Sequence, residues 1–386
     1  MVKYKLKNLF NLFAGGDIDI EHFSQYKTPV HCFPIYSNSL NNKGLYGYTS
    51  VPKYKGNSIT ITGRGSVGHA ECRKQDFDAI IRLLVLIPKK SNIVNPYYLT
   101  QFINQYVSFP LESTGVPQLT VPQIENIEVA LPDYTQQVAT AEALSDIDSL
   151  LSSLQKLIEK KKAIKQGALQ ELLTGKKRLP GFNEEWEELN FAESAKLKAR
   201  IGWQGLTTSE YLQSGYAYLI TGTDFHNGRI KWETCHFVDE KRYKQDLNIQ
   251  IKKHDILLTK DGTIGKVAYI SNVQKPTTLN SGVFVIRPAK EDSFDPNFVY
   301  HILNSFLFDN FLAKLSAGST INHLYQKDFV DFTFKAPSEL VEQQAIAQVL
   351  SDMDSEIDQL EKKLAKYQQI KQGMMQELLT GRIRLV

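Results

Sequence analysis

The stretch Gln-Glu-Leu-Leu-Thr-Gly at residues 170–175 recurs unchanged at residues 376–381. Around it, residues 137–179 align with residues 343–385 without a gap, at a constant offset of 206. About half of the aligned positions are identical. Unrelated helices do not keep such a match over this length, so the chain contains a duplicated element.

Each copy of the repeat carries apolar residues at steps of three and four, the spacing of a helix that packs in a coiled coil. These residues are Leu144, Ile147, Leu151, Leu154 and Ile158 in the first copy, and Leu350, Met353, Ile357, Leu360, Leu364 and Tyr367 in the second. About 40 residues at 1.5 Å each make a helix of roughly 60 Å. A helix that long cannot bury its apolar side alone, so we expect the two copies to pack against each other, antiparallel.

Two stretches of similar size precede the two copies and differ from each other in sequence. Both are rich in strand-forming residues, and both contain a Gly-containing turn, at 65–68 and 262–265, in the same order along the chain. The sequence therefore predicts an α+β protein: two mixed α/β domains separated by two long antiparallel helices in a pseudo-two-fold arrangement. The expected divisions are 1–132, a first rod at 133–180, 181–337, and a second rod at 338–386.

The composition excludes several classes of protein but does not identify a function. The chain has 386 residues, 42% hydrophobic and 23% charged, with no apolar run long enough to cross a membrane and no signal-peptide core. We therefore expect a cytoplasmic protein. Three cysteines without a C-x-x-C pair support neither a disulfide framework nor a zinc site. A net charge of +3 permits nucleic-acid binding but does not identify it.

Two divergent domains, each followed by a closely similar helix, resemble the specificity subunits of type I restriction-modification enzymes. The resemblance covers essentially the whole chain. It rests on residues 170–175 with Arg-Leu-Pro-Gly-Phe at 178–182, on residues 376–381, and on a proline followed by Gln-Gln before each rod. The glutamine pairs are Gln136-Gln137 and Gln343-Gln344.

The resemblance implies that each variable domain is a target-recognition domain that reads one half of a bipartite, asymmetric DNA site. The paired helices would hold the halves a fixed distance apart. The implied partners are double-stranded DNA, two methyltransferase subunits and motor-nuclease subunits. S-adenosylmethionine, ATP and Mg²⁺ would belong to those partners, so we expect no cofactor, no metal and no catalytic site in this chain.

Reading DNA bases requires polar and basic side chains on exposed loops. The candidates in the first domain are Tyr36, Asn38, Asn41, Lys43, Tyr46, Arg64, Ser66, His69 and Gln118. Those in the second domain are Arg200, Gln204, Thr221, Thr223, Lys260, Thr263, Asn322 and His323.

The identical segments of the two rods are candidates for docking identical partner subunits, because one partner surface would fit both. The candidate residues are Leu172, Leu173, Thr174, Gly175, Leu378, Leu379, Thr380 and Gly381.

Three segments match known binding or catalytic motifs, but we interpret each as a structural feature. The G-x-G-x-x-G at 63–68 is not followed by a helical pattern, so we interpret it as a turn between strands rather than a dinucleotide site. Asn95-Pro96-Tyr97-Tyr98 lacks the second proline of an adenine-methyltransferase motif, and we expect a helix N-terminus there. Glu-Lys-Lys at 159–161 and 361–363 falls within the rods, as solvated charges.

Two alternatives remain open. One is the recognition subunit of a type IIB-like restriction system, whose single partner carries both nuclease and methyltransferase. The other is a coiled-coil adaptor protein that does not read DNA.

Overall fold

The computed structural model describes residues 1–109, 117–316 and 323–386. Residue contacts divide the chain into two compact units. Unit 1 comprises Met1–Gln155 and Lys362–Val386, and unit 2 comprises Lys156–Glu361. Each unit therefore contains one globular region together with half of each long helix.

The described residues of unit 1 form three small sheets. Their strand orders are β1-β10, β2-β9-β6-β7 and β3-β5-β4-β8, and the pair β4–β8 is parallel. The strands are β1 (Val2–Lys5), β2 (Phe10–Ala14), β3 (Phe23–Ser24), β4 (Phe33–Tyr36), β5 (Leu45–Thr49), β6 (Ser58–Ile61), β7 (Ala70–Arg73), β8 (Asp78–Ala79), β9 (Leu84–Pro88) and β10 (Glu128–Leu131). The helices that begin in it are α1 (Leu6–Leu9), α2 (Pro96–Tyr106), α3 (Val121–Ile124) and α4 (Tyr134–Leu172), with 3-10 turns at Ile20–His22 and Asn41–Gly44.

Unit 2 follows a similar scheme. Its sheets are β11-β21, β12-β20-β17-β18 and β16-β13-β19, the last with three strands where unit 1 has four, and it also has the hairpin β14-β15. The strands are β11 (Trp186–Asn190), β12 (Ala195–Lys198), β13 (Ala217–Ile220), β14 (Phe225–His226), β15 (Arg229–Ile230), β16 (His236–Val238), β17 (Ile256–Thr259), β18 (Val267–Tyr269), β19 (Thr277–Leu279), β20 (Val283–Pro288) and β21 (Thr333–Pro337). The helices are α5 (Phe191–Ser194), α6 (Glu240–Lys244), α7 (Pro296–Leu303), α8 (Phe306–Ser316) and α9 (Leu340–Leu378), with 3-10 turns at Gly202–Gln204, Thr208–Glu210, Trp232–Thr234, Leu247–Ile249 and Gln326–Asp331.

The long helices α4 and α9 have 39 residues each and run antiparallel. In unit 1, Asp148 of α4 pairs with Lys371 of α9 at 2.7 Å. In unit 2, Lys161 pairs with Glu356 at 2.6 Å, and Lys165 pairs with Asp354. The partner numbers fall as the α4 numbers rise, which is the antiparallel order. The predicted α+β class with two long antiparallel helices is confirmed.

The apolar seam of the two helices is buried at about half of its predicted positions. The half-buried positions are Leu151, Met353, Leu360, Leu364 and Tyr367. Leu144 and Leu350 are fully buried, and Ile147, Leu154 and Ile357 are buried as well. The seam continues into the globular cores, because Leu144 belongs to the main core of unit 1 and Leu350 to that of unit 2. Burial of these side chains is the main source of helix stability here, since the helices are otherwise polar.

A glutamine near the start of each long helix binds it to the globular region. Gln137 accepts a hydrogen bond from the backbone N–H of Asn95 (2.9 Å) and donates to the carbonyl of Pro132 (3.0 Å). Gln343 makes the same pair of bonds with Asp295 (2.9 Å) and Pro337 (2.8 Å). The recurring proline and glutamine are therefore structural residues that fix where each rod begins.

The same anchor orders a second helix in each unit. Asn95 caps α2 by accepting from the N–H of Tyr98 (3.0 Å), and Asp295 caps α7 by accepting from Phe298 (2.8 Å). Proline follows each cap, at the first helical turn where its missing N–H costs nothing. The predicted helix N-terminus at Asn95 is confirmed.

Candidate nucleic-acid interface

The strongest structural correspondence between the units is a glycine turn between two strands. The backbone N–H of Thr62 donates to His69 (2.9 Å), and the N–H of Gly68 donates back to Thr62 (2.8 Å). Thr259 makes the corresponding bonds with Lys266 (2.9 Å) and Gly265 (3.0 Å). The hydroxyl groups of Thr62 and Thr259 donate to the carbonyls of Ser66 and Thr263, across the turn.

The glycines of this turn hold left-handed backbone that other residues rarely adopt. Gly65 and Gly68 have φ of 69° and 91°, and Gly262 and Gly265 have φ of 66° and 89°. The turn joins β6 to β7 in unit 1 and β17 to β18 in unit 2. The interpretation of 63–68 as a turn between strands is confirmed.

A second loop crosses the glycine turn in both units. In unit 1, Arg64 forms an isolated β-bridge with Gln118, and the N–H of Leu119 donates to Gly63 (2.9 Å). In unit 2, Asp261 forms the bridge with His323. The N–H of Leu324 donates to Lys260 at 2.9 Å. The structure thus brings together residues that are 54 and 62 positions apart in the chain.

The side chains on this shared frame differ completely between the units. In unit 1 the Arg64 guanidinium donates to the Gln118 side-chain carbonyl at 3.4 Å. In unit 2, Lys260 Nζ lies 3.0 Å from His323 Nε2, and Asp261 contacts the other ring nitrogen of His323. An ammonium only donates, so Nε2 accepts and Nδ1 donates to Asp261. One frame therefore presents an Arg–Gln pair and the other a Lys–His–Asp cluster.

Asn38 holds the loops of unit 1 together. Its side-chain carbonyl accepts from the N–H of Gly63 (2.7 Å), and its amide donates to the carbonyl of Ile81 (2.5 Å). Ile81 and its neighbour Arg82 both have left-handed backbone, with φ of 55° and 58°, and both are exposed. Arg82 is a candidate phosphate or base contact that sequence reasoning missed.

Arg73 supports the loop that carries Asn41 and Lys43. The Arg73 side chain is 5% exposed, donates to Thr60 Oγ1 (2.8 Å) and to the carbonyl of Lys43 (2.8 Å), and stacks on Tyr36 with its guanidinium carbon 3.6 Å from the ring centroid. Burial lowers the pKa of Arg73 from its usual value, and the Tyr36 ring opposes that shift. Arg73 is thus a positioning residue behind the predicted contacts Tyr36 and Lys43.

The remaining candidates of unit 1 lie on exposed or half-buried surface. Asn41, Lys43, Tyr46 and Ser66 are exposed, and Tyr36 and His69 are half-buried. His69 Nε2 lies 3.2 Å from Glu71. These positions are compatible with contact to DNA.

Three candidates of unit 2 are buried, and Lys260, at 8% exposed, is one of them. Arg200 is 3% exposed and donates to the Leu279 carbonyl (2.9 Å) and Thr278 Oγ1 (3.2 Å), and Gln204 is 7% exposed. All three side chains are therefore placed inside the unit, not on an exposed loop as expected from the sequence. The basic character of residues 196–200 does not distinguish a buried arginine from an exposed one.

Thr221, Thr223 and the glycine turn complete the unit 2 candidates. Thr223 and Thr263 are exposed, whereas Thr221 is half-buried and its hydroxyl bonds Asp224 at 2.8 Å. Asn322 lies outside the described residues.

The duplicated segment of each rod has a structural explanation. Leu172 and Leu173 are buried in the core of unit 2 and Leu379 in that of unit 1, and Leu378 is 5% exposed. Thr174 and Thr380 donate to the carbonyls of Gln170 and Gln376 at 2.6 Å. Gly175 and Gly381 have φ of 67° and 72°, as at a helix C-terminus. The leucine side chains are thus covered by residues of this chain.

The thiols of Cys72 and Cys235 have raised pKa values. Burial raises the pKa of Cys72 to about 11 and that of Cys235 to about 12, so neither thiol forms the reactive thiolate near neutral pH. Across residues 1–109, 117–316 and 323–386, no group of three or more His, Cys, Asp or Glu side chains could hold a metal ion. Within the same ranges, no helix is long and apolar enough to span a membrane.

The family model described as "Type I restriction modification DNA specificity domain" matches residues 1–166 and 183–372. The chain belongs to this family. Each of its two matches starts in a globular region and extends into the long helix that follows, as the internal repeat does.

Other members of the type I specificity family are similar along most of the chain. The type I restriction enzyme MjaVIII specificity subunit of Methanocaldococcus jannaschii is 26% identical over 321 residues, which are 78% of this chain and 73% of that one. The putative MjaX specificity subunit of the same organism is 25% identical over 79% of this chain and 72% of its own. The crystal structure of a type I system S subunit from M. genitalium superposes with a TM-score of 0.69 at 18% identity, covering 98% of this chain and 95% of that one. That superposition shows a shared fold.

Proposed function

We propose that this member of the type I specificity family reads a bipartite, asymmetric DNA sequence and has no catalytic site of its own. One observation carries the proposal. The two units present different side chains on one hydrogen-bonded frame, Arg64 with Gln118 in unit 1 and Asp261 with His323 in unit 2. Different donors and acceptors at corresponding positions select different base edges, so the half-sites differ in sequence.

The frame, which is the glycine turn with the loop that crosses it, suits this role because the groups that stabilise it differ from the side chains it exposes. The bonds of Thr62 and Thr259 are made by backbone and hydroxyl groups inside the turn. They leave the side chains at positions 64, 66, 261 and 263 available to contact DNA. Phosphate contacts would come from exposed basic residues near the turns, Lys43 and Arg82 among them.

The proposed partners follow from the family. Two methyltransferase subunits and the motor-nuclease subunits would dock on the long helices, with Thr174, Gly175, Thr380 and Gly381 as candidate contacts. S-adenosylmethionine, ATP and Mg²⁺ would bind to those subunits. The present chain would supply sequence selection and spacing.

The test is methylation mapping of host DNA with the gene intact and deleted. We expect deletion to abolish methylation at one asymmetric, gapped motif. Unchanged methylation, with the partner methyltransferase shown to be expressed and active, would contradict the proposal and favour an adaptor protein that does not read DNA.

A further inference from the structure

Unit 1 contains an open groove of about 1150 Å³ between its globular region and α4. Strand β7 contributes Ala70 and Arg73, α2 contributes Tyr97 and Asn104, and α4 contributes the side chains from Ser145 to Gln155 that face it. Tyr36, Lys43 and His69, predicted from the sequence as DNA contacts, also line it. The groove therefore continues from the candidate reading loops toward the rod.

The groove is positively charged. Five Lys and Arg side chains line it, against the two carboxylates Glu71 and Asp148. Both carboxylates have cationic partners, because Glu71 lies 3.9 Å from Lys43 and Asp148 lies 2.7 Å from Lys371. Lys27 and Lys74 are exposed and make no ion pair with any described residue. Their charges remain for an anionic ligand.

Unit 2 fills the corresponding place with its own chain. The hairpin β14–β15 carries Arg229, which pairs with Asp358 of α9 at 2.8 Å. Gly228 of the hairpin accepts from the N–H of Tyr269 (3.1 Å) and lies directly against the Tyr300 hydroxyl. By the offset of 206, Asp358 corresponds to Ser152, which lines the open groove of unit 1. The rod face that meets a basic hairpin in unit 2 thus faces a basic groove in unit 1 that stays open to solvent.

We infer that the groove of unit 1 binds the phosphate backbone of the DNA next to the half-site that unit 1 reads. This inference rests on the proposed function. It adds a sequence-independent contact to one half-site only, because in unit 2 the hairpin occupies the corresponding space.

The test uses the complex of the full chain with its methyltransferase partner. The probes are a duplex that carries the mapped motif and a scrambled duplex, at several salt concentrations. In the double variant Lys27→Gln/Lys74→Gln, we expect affinity for both duplexes to fall on the order of ten-fold at low salt. We expect the slope of log affinity against log salt to decrease by about two, one for each lost phosphate contact. The methylated motif stays the same.

Two further variants sharpen the result. Ser152→Asp places in the groove the residue that the second rod has at this position, and its negative charge should weaken binding to both duplexes without unfolding α4. Lys7→Gln/Lys90→Gln removes two exposed lysines of unit 1 that do not line the groove. It should leave the salt slope unchanged.

The outcomes separate this inference from the proposed function. An unchanged salt slope in the Lys27/Lys74 variant, with motif preference intact in the wild type, would overturn the groove as a phosphate site and leave the proposed function standing. Equal affinity of the wild-type complex for motif and scrambled duplexes would overturn the proposed function and this inference with it.

Discussion

The side chains that hold the loops of unit 1 are different from those that the loops expose. Asn38 bonds backbone atoms of Gly63 and Ile81, and Arg73 bonds the carbonyl of Lys43 as well as the hydroxyl of Thr60. Their neighbours Arg64 and Arg82 remain at the surface. A substitution behind the loops should therefore act on stability, and one on the loops should act on recognition.

Replacing Arg73 with methionine should destabilise unit 1 by about 2–3 kcal/mol. The change leaves the part-buried carbonyl of Lys43 and the buried hydroxyl of Thr60 without their donor, and releases the turn in which Asn42 and Lys43 hold φ of 46° and 53°. Denaturant unfolding gives the free energy, and hydrogen exchange at the amides of residues 42–44 shows the loosened turn. Arg82→Met is the matched control and should change the free energy of unfolding by less than about 0.5 kcal/mol. Equal effects of the two variants would contradict this role of Arg73.

His301 should make unit 2 sensitive to acid. Burial, with a smaller effect of Lys165, lowers the pKa of His301 to about 3. In the unfolded chain its pKa is near 6.5. Between these values the unfolded chain binds the proton and the folded chain does not, so stability is lost as the pH falls below about 6.5. The loss should reach about 2 kcal/mol by about pH 5.

The variant His301→Gln tests this prediction, because Gln101 holds the corresponding position in unit 1. We expect it to flatten the dependence of the unfolding free energy on pH between 5 and 6.5. His226→Gln, at an exposed hairpin position, should keep the slope. A wild-type slope in the His301 variant would show that other groups cause the acid sensitivity.

At the scale of elements, the attachment of each long helix depends on one glutamine. Gln343→Ala should cost about 2 kcal/mol, because the N–H of Asp295 and the carbonyl of Pro337 lose their partners in a buried setting. Hydrogen exchange at the amide of Asp295 should accelerate together with this loss. Gln348→Ala, on the exposed side of the same helix, serves as the control with little effect. Protection of Asp295 that persists in the Gln343 variant would contradict the anchoring role.

Helices could be predicted from the sequence where the spacing of apolar residues matches the side that is buried. The seam residues Leu144 and Leu350 follow the spacing of an antiparallel helix pair, and Asn95-Pro96 and Asp295-Pro296 contain the signals of a helix start. Burial of Arg200 was not predictable, because its partners Thr278 and Leu279 lie about 80 residues away. Arg82 was missed for the same reason: its exposure beside the glycine turn depends on the Asn38 bond to Ile81, which sequence spacing does not reveal.

At the scale of the whole molecule, recognition should be modular. Exchanging residues 1–132 for the matching region of another family member should change one half of the methylated motif and leave the other unchanged. The physical reason is that each glycine turn and its crossing loop lie within one unit. Methylation mapping of a strain that carries the chimera measures the result. A change in both half-sites would contradict separate reading by the two domains.

Rod length should set the gap between the half-sites. Inserting four residues after Gln155 and four after Glu361 lengthens each helix by about 6 Å. We expect a longer gap between unchanged half-sites in the methylation map. The same insertion in the segment 181–185, which precedes β11, is the control and should keep the original gap. An unchanged gap in the rod variant would show that rod length does not determine the distance between the half-sites.

The threonine-centred turn has a consequence for how this protein changes over generations. Since Thr62 and Thr259 stabilise their turns through the main chain, a mutation of Arg64 or Asp261 alters the surface without threatening foldability. Variants with new preferences can therefore accumulate as viable intermediates, each still a well-formed protein. The architecture therefore lets sequence preference change while the stability of the core and of the turn is kept.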